Sequence, residues 1–122
     1  MYQENIKEIE TLINTYFEGI FYGNVSNLLT CFSNDATLYG DINSIEYIKN
    51  LNEYIETVKT RKSPNDLGET LNMSIMGIDI LGKAAMVKLH VPMLGFNYYD
   101  YLSLFKIQGK WKIVNKLFAH VV

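Results

Sequence analysis

The amino-acid sequence predicts an α+β fold, with three N-terminal helices gathered on one face of an antiparallel sheet. Three observations carry this reading. Apolar residues recur at three- and four-residue intervals from Ile6 to Thr60, alternate from Thr70 to Val122, and the alternating segments are separated by short glycine-containing breaks. A run of helices followed by a run of strands is the pattern of α+β architecture.

The first helix is carried by Ile6, Ile9, Leu12, Ile13, Tyr16, Phe17, Ile20 and Phe21, which share one helical face over about four turns. Gly23 suits the left-handed residue that ends it, and Asn24 suits the cap of a shorter second helix with Val25, Leu28, Leu29 and Phe32. Ser33, Asn34 and Asp35 read as a turn, and Ala36 to Tyr39 as a short strand broken by Gly40 and Asp41. Asn43 followed three residues later by Glu46 reads as a capping pair for a third helix, with Ile45, Ile48, Leu51, Ile55 and Val58 at helical spacing as far as Thr60. Arg61 to Gly68, with Pro64, Asn65 and Asp66, reads as an exposed loop.

Four strands follow: Thr70 to Leu81, Lys83 to Met93, Tyr98 to Gln108 and Trp111 to Val122. Gly82, Gly95 and Gly109 stand in the breaks, where tight turns require positive φ, and connections this short join antiparallel neighbours in a meander.

A length of 122 residues with 48% hydrophobic content predicts one domain, residues 1–122, with a real core. Net charge of −2 with mixed signs offers no cationic face for nucleic acid. The lone Cys31 forms no internal disulfide and sits in an apolar helical pattern with no neighbouring base, which marks a core residue. Nothing near the N-terminus reads as a leader or membrane span, and the expected compartment is the cytoplasm. Two histidines and one cysteine without acidic partners at ligand spacing predict no metal site; no nucleotide motif is present, and no cofactor is expected. Nine tyrosines and six phenylalanines suit a cavity wall, a core or a dimer surface alike.

Several strings carry a family likeness: Tyr16-Phe17-Glu18-Gly19-Ile20, Gly23-Asn24-Val25, Cys31 to Asp41 (CFSNDATLYGD), Asp100 to Ile107 (DYLSLFKI) and Gly109 to Phe118 (GKWKIVNKLF). In this order they resemble the nuclear transport factor 2-like (cystatin-like) superfamily, which includes ketosteroid isomerase, scytalone dehydratase and SnoaL-like polyketide cyclases. They are most similar to the branch called "putative lumazine-binding" proteins. The resemblance spans nearly the whole chain. It implies a cone with an internal pocket between the helices and a strongly curved sheet, commonly built into homodimers, and it implies no single reaction.

The resemblance also indicates where to look for chemistry. The oxyanion-binding tyrosine of ketosteroid isomerase coincides with Tyr16, its catalytic aspartate with Gly40 and its second, protonated aspartate with Ser103; Asp41 is one residue along. That activity is therefore not expected. On the last strand Val114, Lys116, Phe118 and His120 share one face, and Trp111, Ile113, Asn115, Leu117 and Ala119 the other. The family alignment turns the first set inward, making Lys116 a cation for an anionic or carbonyl-bearing ligand and His120 an acid, base or donor at the mouth. Periodicity alone favours the more apolar Trp111 face as core, which leaves Lys116 in solvent. The alignment likewise turns Tyr99, Tyr101 and Ser103 inward, whereas alternation points His90 away from the core.

The candidate ligand-binding residues are thus Tyr16, Tyr39, Asp41, Tyr99, Tyr101, Ser103, Lys116, Phe118 and His120, with no catalytic assignment. The expected function is binding of a small, largely apolar or aromatic molecule. The alternatives are a proton-transfer lyase, isomerase or cyclase using Tyr16, Asp41 or His120 and Lys116, and a module that dimerises through its sheet.

Overall fold

The computed structural model describes residues Met1–Val122. Helix α1 runs Tyr2–Tyr22, a turn earlier than its apolar stripe indicates, and ends at Gly23 in the left-handed conformation (φ 66°) with the cap N–H donating to the Gly19 carbonyl. Helix α2, Val25–Cys31, follows directly, its first turn capped by Asn24 Oδ1 accepting from the Asn27 N–H at 3.1 Å. The corner is tight because Gly19 lacks a side chain; a Cβ there would come within 2.7 Å of Leu28.

Strand β1 spans Phe32–Ile42, so Ser33-Asn34-Asp35 is not a turn. Those polar residues form an irregular stretch of strand, where the ladder shifts between Phe32 and Thr37. The chain reverses instead at Asn43 and Ser44, both with positive φ, while Asp41 Oδ1 accepts from the Ser44 N–H at 2.8 Å. Ile45–Asn50 then returns as strand β2. The third helix, α3, is Leu51–Thr60, shorter than its apolar spacing suggests. Its capping box is Asn50 with Glu53, both reciprocal bonds being present, so the pairing of Asn43 with Glu46 is only a sequence coincidence.

Strands β3 (Ser74–Leu81), β4 (Ala84–Met93), β5 (Phe96–Ile107) and β6 (Lys110–His120) form the expected antiparallel meander, with positive φ at Gly82, Gly95 and Gly109. β1 joins β6 in parallel, completing a six-stranded sheet of order β2-β1-β6-β5-β4-β3. The sheet is curved and unclosed, with the helices packed on one face.

The inner face carries the core. Ala85, Val87, Leu89 and Val91 of β4 and Leu102 and Leu104 of β5 pack with Ile9, Ile13, Ile20 and Leu28 of the helices in one buried cluster. The loop after α3 is less exposed than its composition indicates. Ser63 and Pro64 are buried because the Asn65 N–H donates to the Phe21 carbonyl and ties the loop to the end of α1.

Candidate functional site

The apolar inner face contains two charged residues of the sheet, Asp100 on β5 and Lys116 on β6, 1% and 5% exposed. Alternation brings Asp100 inside: Tyr98, Asp100, Leu102 and Leu104 are the buried members of β5. Tyr16, fully buried on α1, donates its hydroxyl to Asp100 Oδ2 at 2.7 Å. Lys116 Nζ lies 3.5 Å from the hydroxyl of Tyr54, on α3, and 4.9 to 5.3 Å from the ring centres of Tyr54, Phe118 and Tyr16. Aromatic faces thus surround the ammonium group and supply part of the stabilisation that water gives elsewhere.

How Lys116 reaches this position resolves the two readings of the last strand. Ser103 pairs with Asn115 but Leu104 with Ile113, so Val114 is an extra residue on β6. The bulge changes the phase of the strand. Trp111 and Ile113 before it and Lys116 after it are all buried, so the apolar half and the cationic half share the inner face.

Beside these groups is a cavity of about 50 Å³, bordered by Tyr47, Tyr54, Tyr98, Arg61, Asp100, Lys116 and the apolar Val91, Met93 and Phe118. Burial raises the Asp100 pKa, against the lowering effects of Lys116 and the Tyr16 hydrogen bond. Burial also pushes the Tyr16 phenol well above its usual range, and the Asp100 charge pushes it further. For Lys116 desolvation works downward, but Tyr54 and Asp100 outweigh it and leave the pKa raised.

Three of the nine residues named from sequence meet here: Tyr16, Lys116 and Phe118. Five belong to the other face. Tyr39 and Asp41 are exposed because inward positions of β1 fall to Leu38, Gly40 and Ile42, and Asp41 is engaged in its turn. Tyr99, Tyr101 and Ser103 point outward because β5 is one residue out of phase with the expectation. Tyr99 stacks on His90, ring centres 4.6 Å apart; Tyr101 lies under Lys88; Ser103 Oγ meets Met86 Sδ at 3.3 Å. His120 stands at the rim, with Nδ1 accepting the Asn97 N–H at 2.9 Å, so that nitrogen is not free as a base. Gly40, where the isomerase's catalytic aspartate would fall, is covered by Phe118, whose ring a Cβ at that position would overlap.

Asp100, Tyr54, Tyr98, Tyr47 and Arg61 are the site residues that sequence reasoning missed. Asp100 had a signal, a single acid in the otherwise apolar set Tyr98, Leu102 and Leu104. Arg61 had none, since a charged residue after a helix normally faces water. Cys31 is buried, its thiol pushed up to about 11 by burial, the state of an inert core residue. No group of three or more His, Cys, Asp or Glu side chains is placed to hold a metal, and no helix is long and apolar enough to cross a membrane.

Helices over a curved sheet, with a polar group at the centre of the interior, define a protein of the nuclear transport factor 2-like fold. Within it the chain belongs to the family described as "putative lumazine-binding", whose profile matches residues 4–119. Solved structures agree on the fold. A nuclear transport factor 2-like protein of unknown function from Shewanella baltica has TM-score 0.84 and 24% identity, over 97% of this chain and 94% of that one. A second, from Silicibacter pomeroyi, has TM-score 0.84 and 18% identity, over 99% of both chains. A third, from Methylobacillus flagellatus, has TM-score 0.81 and 25% identity, over 98% and 94%. No curated protein matches the chain.

Proposed function

We propose that the chain binds a small molecule in its interior, between α3 and the inner face of the sheet, and performs no catalysis on it. The observation that carries this reading is the buried group of Tyr16, Asp100 and Lys116 beside a cavity. Apolar residues of similar volume in such positions often leave stability unchanged or improved, so a core gains little from buried charges of this kind. Two of these groups, Asp100 and Lys116, border free space, which suits recognition instead.

At about 50 Å³ the cavity takes a compact head group, well under the roughly 300–1,000 Å³ of pockets that enclose drug-sized ligands. A larger ligand must displace a half-buried wall residue, and Phe118 and Tyr47, edge to face at 5.3 Å, are the ones at hand. Proton transfer is the weaker reading because its bases are occupied or misplaced: Asp41 is on the other face, and His120 Nδ1 accepts a backbone N–H.

The test is a thermal-shift screen with lumazine, other pterins, flavins, steroids and polyketide-like acids. At least one should give saturable stabilisation that Lys116→Met abolishes. Absence of saturable stabilisation by every compound overturns the reading.

A second reading concerns assembly: the chain pairs with a copy of itself through the outer face of its sheet. Its support is the set of exposed apolar residues there, Met76, Met86, Tyr101, Phe105 and Leu117, each 44 to 53% exposed. Sedimentation equilibrium should give a dimer that Leu117→Glu converts to monomer; a wild-type monomer at high concentration removes this reading.

A further inference from the structure

The cavity has a cation that the buried Tyr16, Asp100 and Lys116 group leaves unused. Arg61 directly follows α3, where its backbone N–H caps the helix by donating to the Thr57 carbonyl at 3.2 Å. Its side chain turns inward and borders the cavity with Tyr47, Tyr98, Asp100 and Lys116. Nη2 is buried and has no hydrogen-bond partner in the protein. A guanidinium stays protonated at any ordinary pH and offers its donors in a fixed planar fork, so this N–H is oriented without an acceptor.

The charges around the cavity do not balance. Lys116 and Arg61 are two cations facing one carboxyl, and Asp100 already accepts the Tyr16 hydroxyl. Asp100 forms a salt bridge with neither cation; the protein's two salt bridges, Lys59 with Glu56 and Lys106 with Glu8, are elsewhere. The remaining wall is aromatic or aliphatic, and its hydroxyls at Tyr47 and Tyr98 can also donate.

We propose that Arg61 is the specificity residue of this cavity and that the ligand carries a carboxylate, received by the Arg61 guanidinium and the Lys116 ammonium. This inference rests on the binding reading above and adds the chemical class of the ligand. A carboxylate fits both the unpartnered N–H and the volume: it is planar, needs only three heavy atoms inside about 50 Å³, and accepts two parallel N–H bonds from one guanidinium. A dianionic tetrahedral group is bulkier and brings a second charge against Asp100. The rest of the ligand then lies among Tyr47, Tyr98 and Phe118, which favours an aromatic acid.

The test titrates benzoate and its neutral near-isostere benzamide into the wild-type protein, Arg61→Gln and Arg61→Lys, read by amide chemical shifts and calorimetry. Benzoate should saturate with at least about tenfold higher affinity than benzamide, the size expected of a charge-assisted hydrogen bond. Arg61→Gln should remove that preference and change benzamide affinity by less than about twofold. Arg61→Lys, which keeps the charge without the fork, should retain part of it. Equal affinities in the wild type, or a preference that survives in Arg61→Gln, overturns the inference, as does silence from benzoate when neutral compounds in the wider screen bind. If no compound of any charge binds, the cavity reading falls and this inference with it.

Discussion

Replacing Tyr16 by Phe isolates one bond at the centre of the protein. The ring keeps its neighbours, Phe17 at 6.1 Å and Phe32 at 5.9 Å between centres, so packing changes little. What is lost is the 2.7 Å donation to Asp100, a carboxyl with 1% exposure. Removing a donor from a buried charged acceptor costs about 1.5–3 kcal/mol. At about 4 °C per kcal/mol for a domain of this length, Tm falls by about 6–12 °C.

The penalty also depends on pH, and its sign follows from Asp100. Its folded-state pKa lies above the ordinary value of 3.8, so the group's contribution to stability is fully present below that value and is lost as pH rises through the folded pKa. The Tyr16 bond lowers this pKa; without it the pKa rises further and more stability is lost on going to neutral pH. Tyr16→Phe should therefore cost more at pH 7.5 than at pH 4.5. Urea unfolding followed by the fluorescence of Trp111, the single tryptophan, measures both values. A penalty below about 0.5 kcal/mol, or one equal at the two pH values, refutes the reasoning.

Other consequences follow from particular residues. Lys116→Met removes the cation that lowers the Asp100 pKa, so the carboxyl titration seen by carbon NMR should move to higher pH; an unchanged midpoint would show that the two do not interact. Asn50→Ala removes the side-chain half of the α3 capping box and should cost about 1 kcal/mol in urea unfolding, whereas Asn43→Ala cannot disturb that helix's cap. Deleting Val114 removes the bulge and forces either Trp111 and Ile113 or Lys116 and Phe118 to the outer face. A loss of at least about 3 kcal/mol is expected, comparable to truncating a buried aromatic, while Val114→Ala keeps the bulge and should cost under about 1.5 kcal/mol. Equal effects of deletion and substitution would contradict the role given to the bulge.

Local chemistry made much of the fold legible. The stripe from Ile6 to Phe21, the Gly23-Asn24 corner and the glycine turns at positions 82, 95 and 109 each depend on residues close in sequence, and each is present in the folded chain. The segment from Asn43 to Asn50 misled because Ile45 and Ile48, three apart, satisfy a helical stripe although both are exposed on β2. An apolar spacing records which residues could share a helical face; it does not record whether that face has a partner to bury it. The left-handed pair Asn43 and Ser44 made a hairpin instead, and the helix waited for the cap at Asn50.

The sequence by itself determined the class of fold, the helical entry, the glycine turns and the composition of an aromatic interior. Tertiary structure alone decided the site. Period-two alternation labels two faces of a strand but does not say which is inside, and one extra residue exchanges them midway, as Val114 does on β6. That phase put Lys116 on the same face as Trp111, brought Asp100 rather than Ser103 to Tyr16, and left Arg61 beside them from a loop held down by the end of α1. The bond from Tyr16 to Asp100 alone spans 84 positions, and only burial by the whole sheet and helix layer makes these charges felt.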